Sequence, residues 1–410
     1  MVYNQCMKIA IIGGGLTGLT AAYELTKRGH HVDLFERDKE LGGLANGWKE
    51  KGWDWSLEKS YHHLFTNDYA IIALMNELGI KDKLIRKRPI TANLVHDGMY
   101  QLDSPINLLQ FPGLSLIDKL RTGTIAAFCK LYPFWQTLEG ITAKQFFTSV
   151  GGSAGWRVIW EPLMTGKFGH YNDSIAASWL WARIKKRTPS LYYISGGFHT
   201  LVTTLEKAIK KQGGIIHTNT SIDSLKTLSE FDKILFTTPS PIAQKIVPKL
   251  QITPVPHLHA QTLILETDAP ILKNVYWLNI TDRTFPFLAV VAHTNFMNAS
   301  HYSNHHLTYI GNYLPTDHPY LTMTKQQLLK IFIPYINRLT NNDLDITNSY
   351  LFTAPYAQPV HQVNYSKRAP RIETTIPNVY LANMDSIYPW DRGTNYAVEL
   401  GQRAAQRIIS

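Results

Sequence analysis

A short run that opens at Lys8 continues through the apolar, mostly β-branched residues Ile9–Ile12 and then stops on Gly13, Gly14 and Gly15. That pattern reads as a buried strand ended by a turn. The segment Leu16–Arg28 follows at once as a helix, Gly29 supplies its C-terminal stop, and Val32–Glu36 reads as a second strand. The result is a β-α-β unit of about thirty residues. Within its first turn Gly13, Gly15 and Gly18 keep the Gly-x-Gly-x-x-Gly spacing, with Leu16 and Thr17 between the last two. The first glycine permits a tight turn, the second lets backbone approach a pyrophosphate, and the third lets helix and strand pack closely. The helix N-terminus then offers oriented N–H groups to the phosphates. Glu36 ends the second strand 18 residues past Gly18, where a carboxylate accepts hydrogen bonds from an adenosine ribose. A chain that begins in this way predicts a parallel sheet carrying a dinucleotide.

With 410 residues the chain is long enough for two domains with their own cores. Two cysteines, Cys6 and Cys129, form neither a disulfide framework nor a zinc site, and they predict a reducing, cytoplasmic setting. The leader Met1–Met7 has no positive n-region, which predicts that it is not a signal peptide. Nothing reads as a transmembrane helix, because no uncharged apolar stretch reaches about 18 residues. The net charge of +10 points to an anionic partner. Its lysines and arginines fall in short clusters, such as Lys81–Arg88 and Lys185–Arg187, without a nucleic-acid motif. An anionic membrane surface or an anionic substrate is therefore favoured over nucleic acid.

Further along, helices are predicted over Tyr69–Leu78, Thr142–Val150, Phe198–Gln212 and Leu328–Leu339, and a closing helix over Gly393–Ile409. Strands are predicted at Ile215–Asn219, Lys233–Phe236 and Val379–Ala382. Between His259 and Leu314 four runs, Thr262–Glu266, Val275–Ile280, Phe287–His293 and Leu307–Leu314, alternate with turns and suggest an antiparallel sheet. The fold class is thus α/β, with a Rossmann-like parallel-sheet domain assembled from separated segments and an inserted α+β domain containing an antiparallel sheet. The expected division is 1–65, 190–245 and 365–410 for the dinucleotide domain, and 66–189 with 246–364 for the substrate domain. Ser104–Trp135 is apolar, broken by prolines and dotted with Lys119, Arg121 and Lys130. That composition suits a helical element at 105–135 resting on a membrane surface, or an ordinary lobe covering a core.

A second glycine pair, Gly42-Gly43, lies six residues beyond Glu36, in Glu36-Arg37-Asp38-Lys39-Glu40-Leu41-Gly42-Gly43-Leu44. Here the opening segment resembles the flavoprotein superfamily of amine oxidases, protoporphyrinogen oxidases, phytoene desaturases and UDP-galactopyranose mutases. The resemblance implies non-covalently bound FAD, with the diglycine loop and Leu44 on its phosphates and ribityl chain. Many members carry a basic residue where this chain has Leu44. Ser195-Gly196-Gly197-Phe198 resembles the Gly-Gly-rich helix start of the superfamily, and Ile222 matches its adenine-contacting residue. At the end, Val379–Asp385 and Gly393-Thr394-Asn395-Tyr396 resemble the last FAD-binding segment. Asn383 and Met384 stand where the superfamily has Gly-Asp, which leaves Asp385 as a candidate for the ribityl role. The closing helix would aim its N-terminal dipole at the flavin pyrimidine edge.

The catalytic candidates are His62 and His63, in the aromatic segment after the diglycine loop, and Arg392, directly before the closing helix. An imidazole beside a flavin polarises it or its substrate, and an arginine fork suits phosphate or carboxylate. Lys167 is a weaker candidate. The adjacent pairs His30-His31 and His305-His306 lack the facing geometry of metal ligands, and no metal site is expected. By its resemblance the chain is expected to be an FAD-dependent oxidoreductase taking a hydride from a large hydrophobic substrate, in the manner of desaturases and oxidases. A redox-neutral mutase on a nucleotide sugar, an amine oxidase and a flavin-binding protein without turnover are the alternatives.

Overall fold

The computed structural model describes residues 6–96, 98–340 and 344–410; most of the Met1–Met7 leader lies outside them. In chain order the elements that matter here begin with β1 (Lys8–Ile12), α1 (Leu16–Thr26), β2 (His31–Phe35), β3 (Ile90–Val95) and β4 (Gly98–Gln101). A helical stretch follows, with α2 (Pro105–Gln110), α3 (Leu116–Leu131), α4 (Glu161–Phe168) and α5 (Ala177–Lys186). Then come α6 (His199–Lys211), β5 (Ile215–His217), β6 (Lys233–Phe236), β7 (His257–Thr267), β8 (Val275–Ile280), β9 (Ala289–Ala292) and β10 (His306–Leu314). The chain closes with β11 (Ile346–Pro359), β12 (Val379–Leu381) and α7 (Thr394–Ile409).

β1, the apolar run that opens the sequence, sits at the centre of a five-stranded sheet ordered β5-β2-β1-β6-β12. Every pairing in that sheet is parallel. Its strands come from the beginning, middle and end of the chain, as the scattered strand signals implied. α1 and α7 cross on one face at very short range, where a Cβ on Gly401 would lie 2.5 Å from the carbonyl oxygen of Thr17.

A seven-stranded sheet ordered β11-β7-β10-β9-β8-β3-β4 makes up the second layer system. The expected antiparallel arrangement holds along β7 to β10, and one pairing departs from it: β8 runs parallel to β3. β3 arrives from far upstream in the sequence, so no hairpin fixes its direction. β11 pairs with β7 across a register shift near Leu258 and Ala260. It carries Pro355 and stands at the sheet edge, where a missing N–H costs nothing. The segment 105–135 is helical, and its α3 packs against α5. Among the described residues no helix is long and apolar enough to cross a membrane.

Candidate functional site

The turn after β1 folds as its glycine spacing demands. Gly13 has φ +113°, a conformation L side chains avoid, and its N–H donates to the carbonyl of Phe35. A Cβ on Gly18 would lie 2.0 Å from the Gly13 carbonyl oxygen, so helix and turn touch there. Gly15 differs. Its φ is −72° and a Cβ would meet nothing nearer than Gly43 Cα at 3.9 Å. The second glycine loop lies directly alongside, with the Gly42 N–H donating to the Gly14 carbonyl at 2.8 Å. Leu16 is buried and Thr17 half-exposed on the same turn, while Leu44 is half-buried.

Glu36 reaches back into this turn: its carboxylate accepts from the Gly14 N–H at 2.7 Å and from the Asp38 N–H at 2.9 Å. Arg37 is exposed and faces Asp38. Ile222 packs near Phe35, beyond the end of β2. Three features mark the turn and its surroundings as a cradle for a dinucleotide. Neither α1 nor α7 has a side chain capping its N-terminus, so their first N–H groups are left for another acceptor. Space stands open above Gly15. Buried Thr238 Oγ1, Asn46 Oδ1 and Tyr396 Oη, on the three segments assigned to the cofactor, have no partner among the described residues. Buried polar atoms are normally satisfied, and a flavin dinucleotide is rich in the groups that would pair with them. The residues fit FAD.

The last segment is braced from behind. Asp385 accepts from Ser240 Oγ and sits 2.6 Å from His257 Nε2, which ties it to the start of β7. Its carboxylate is therefore turned toward that strand rather than held free for a ribityl hydroxyl. Asn383 Oδ1 accepts from the Asp385 N–H, and its amide donates to the Thr238 carbonyl. Met384 packs on the main core. Gly393 precedes α7, Thr394 is buried in its first turn, and Tyr396 stacks on Trp390 at 5.8 Å. Asn395 instead accepts from the Ala70 and Ile71 N–H groups and so starts the helix at Tyr69–Glu77.

His62 and Arg392, distant in sequence, share one field. His62 Nδ1–H donates to the Ser60 carbonyl at 2.7 Å, which leaves Nε2 as an acceptor. Burial, with a contribution from Arg392, pushes its imidazole down to about 4, so it is neutral near pH 7. His63 Nδ1 lies 3.0 Å from the Tyr276 hydroxyl, and burial with the nearby Arg187 and Arg183 pushes it down to about 3. Arg392 Nε donates to Gln358 at 2.9 Å and its Nη2 donates to the Tyr313 hydroxyl. Burial opposes its charge, but Tyr313, Asp391 and Tyr61 outweigh that and hold it above the ordinary arginine value.

Next to Arg392, Asp391 binds Arg183 at 2.6 Å, Lys167 at 3.2 Å, the Trp179 indole at 3.1 Å and the Gln358 amide at 3.1 Å. Burial disfavours its charge, yet Lys167, Arg183 and Arg392 together hold the carboxyl well below the usual range. Lys167, the weaker sequence candidate, is thus buried beside the others. Arg183, Gln358 and Tyr313 escaped notice because each sits in an unmarked helix or strand, and only the fold brings them to Arg392. Glu58 was missed as well. It is fully buried, accepts from the Phe198 N–H at 2.7 Å and from Tyr193 at 2.8 Å, and burial raises it to about 7. It anchors the Gly196-Gly197 turn through the Phe198 N–H, and a Cβ on Gly197 would run into Ser56 at 2.4 Å. Among the described residues no group of side chains is arranged to hold a metal ion.

Residues 16–409 match the family model described as flavin containing amine oxidoreductase. The zeta-carotene desaturase of Synechocystis sp. is 28% identical over an alignment of 180 residues that covers 38% of this chain and 36% of that protein. The match therefore spans about a third of that relative's length. An Exiguobacterium sp. 255-15 protein, provisionally named a protoporphyrinogen oxidase, superposes with TM-score 0.77 at 17% identity over 98% of each chain. Reduced UDP-galactopyranose mutase superposes with TM-score 0.72 at 14% identity, over 98% of this chain and 95% of the other. At those identities the two structures speak for the fold alone.

Proposed function

The chain belongs to the flavin containing amine oxidoreductase family; on that premise we propose that it is an FAD-dependent oxidoreductase that takes a hydride from a large, mainly apolar substrate gathered at an anionic membrane surface. FAD, when bound, accepts the hydride, and the protein's part is to bind, orient and keep water out. We assign the cofactor contacts to Gly13, Gly15, Gly18, Glu36, Gly42, Gly43 and the first turn of α7. Attachment is non-covalent in this reading: Cys6 is exposed beside Gly29, Cys129 is buried in α3, and neither belongs to the last cofactor segment. His62, with a neutral imidazole and a free Nε2 lone pair, is the group suited to hold or accept a proton at the substrate.

One observation carries the choice of substrate. Leu116, Ile117, Leu120 and Leu131 on α3, Phe134 just beyond it, and Ile106 and Leu109 on α2 are all exposed by half or more. A soluble surface rarely gathers so many. Lys119 and Arg121 stand among them, and Lys130 donates to the Arg187 carbonyl at 2.5 Å, pinning α3 to the end of α5. That helix also carries Arg183 to Asp391, so α5 links the segment bearing the apolar face to the buried polar cluster. A desaturase-like substrate is supported by the likeness to zeta-carotene desaturase. A cationic amine is disfavoured by three positive groups around Asp391. The same groups favour, as second reading, a redox-neutral mutase on a nucleotide sugar.

Vesicles of phosphatidylglycerol should sediment the protein at low salt, and vesicles of phosphatidylcholine should do so weakly. Binding should fall as salt rises, since exposed charges are screened over about 8 Å at physiological ionic strength. Leu116→Asp with Leu120→Asp should reduce sedimentation about tenfold or more while leaving flavin content unchanged. No difference between lipid-free controls and anionic vesicles would remove the membrane reading.

A further inference from the structure

We propose that Lys167, Arg183 and Arg392 form a receptor for a phosphate group on the substrate. The inference rests on the apolar-substrate reading above and deepens it: the substrate is an amphiphile with an alkenyl tail and a phosphate head. Three basic side chains share a single acid, Asp391, which leaves a positive excess in a largely buried place. A buried charge is costly unless paired, and that excess is matched by a phosphate monoester, which carries about −1.5 to −2 at neutral pH. A neutral hydrocarbon would leave that excess standing.

Each of the three side chains is held in place and keeps donors beyond those it gives to protein partners. Arg392 commits Nε to Gln358 and Nη2 to Tyr313, and its stacked position 5.0 Å over the Tyr313 ring fixes the plane of the guanidinium. Arg183 commits one nitrogen to Asp391 and lies 5.4 Å over Trp179, with its side chain 40% exposed, so the cluster opens to an incoming ligand on that side. Lys167 sits 5.0 Å from both the Trp179 and Tyr313 rings and gives one hydrogen bond to Asp391. Burial pushes its ammonium down to about 7, a value an added anion would raise again. His361, within the field of Asp391 and Lys167, adds two buried ring nitrogens that have no partner among the described residues. The next acid, Asp385, is committed to His257 and Ser240.

Flavin-loaded protein is titrated with an isoprenyl monophosphate, the matching isoprenol, inorganic pyrophosphate and a nucleoside diphosphate, with binding read by calorimetry. The protein should bind the isoprenyl monophosphate about tenfold or more tighter than the alcohol. Arg183→Gln and Arg392→Gln should each weaken that binding by about 10- to 100-fold, as expected for a charged hydrogen bond. Arg183→Lys should recover part of the loss, while Lys226→Gln, a change to an exposed lysine elsewhere, should alter nothing. Equal affinity for phosphate and alcohol, or unchanged binding in both glutamine variants, overturns the receptor. Tight, arginine-dependent binding of pyrophosphate or nucleotide with no gain from the tail keeps the receptor and overturns the apolar-substrate reading.

Discussion

Gly15→Val is expected to fold and to purify largely without flavin. The two halves of that result come from different geometry. Gly15 has φ −72°, which any residue adopts, and an added Cβ meets nothing closer than 3.9 Å, so the fold tolerates a side chain. What the valine adds is bulk on the turn beside the closely packed Gly43, where backbone must approach a pyrophosphate. Gly18→Ala should behave in the opposite order. Its Cβ would sit 2.0 Å from the Gly13 carbonyl oxygen and 2.9 Å from Thr237 Oγ1, so α1 must separate from the turn before any cofactor matters. Flavin absorbance per protein and the thermal melt separate the two outcomes. Gly15→Val should lose most flavin with its secondary structure intact, whereas Gly18→Ala should lose cooperative folding. Full flavin occupancy in Gly15→Val would show that the cofactor is not held here.

The second large effect is acid sensitivity. Burial depresses several imidazoles, four of them most strongly, His62 and His361 to about 4 and His63 and His293 to about 3. In the unfolded chain each titrates near 6.5. A depressed folded value means that the unfolded state binds more protons between these limits. The stabilising contribution is thus complete above pH 6.5 and is lost as pH falls toward the folded values. At pH 5 the loss is roughly 2 kcal/mol for each histidine. Glu58 works the other way. Its folded value is raised to about 7, so protonation there stabilises as pH falls from 7, by roughly 2 kcal/mol at pH 5. Four histidines outweigh one glutamate, and a net loss of several kcal/mol is a large part of a typical total of 5–15 kcal/mol. The melting temperature should therefore drop steeply between pH 6.5 and 5. A melting temperature that holds constant through pH 5 would mean that these imidazoles are not desolvated in the folded protein.

Both expectations depend on residues that the sequence made legible to different degrees. The glycines of the two loops could be read directly, because a tight turn and a close backbone approach admit no other side chain. β1 and β6 were equally plain, each a continuous apolar run of the kind a central parallel strand requires. β11 was hidden: Pro355 and a polar N-terminal half mask its periodicity, and only an edge position makes that composition acceptable. The parallel pairing of β8 with β3 was hidden for another reason, since it joins segments about 185 residues apart with no local signal.

The site divides in the same way. Arg392 could be picked out from its place before α7, and His62 from its place after the diglycine loop. Asp391 is the sequence neighbour of Arg392, and the fold gives its carboxylate to Lys167 and Arg183. Arg183 lies on α5 among residues that read as an ordinary amphipathic helix, so nothing in its own segment marks it. Asn395 drew attention for its place beside the cofactor, yet its side chain serves the N-terminus of a neighbouring helix. Charge clusters formed by tertiary contact leave no spacing in the sequence to recognise.

Anaerobic mixing of flavin-loaded protein with a set of candidate reductants tests the proposed chemistry most directly, with loss of the oxidised-flavin absorbance as the signal. An isoprenyl monophosphate presented on anionic vesicles should bleach the flavin, while primary amines and nucleotide sugars should leave it yellow. Bleaching by an amine, with every isoprenoid inert, would contradict hydride abstraction from an apolar substrate.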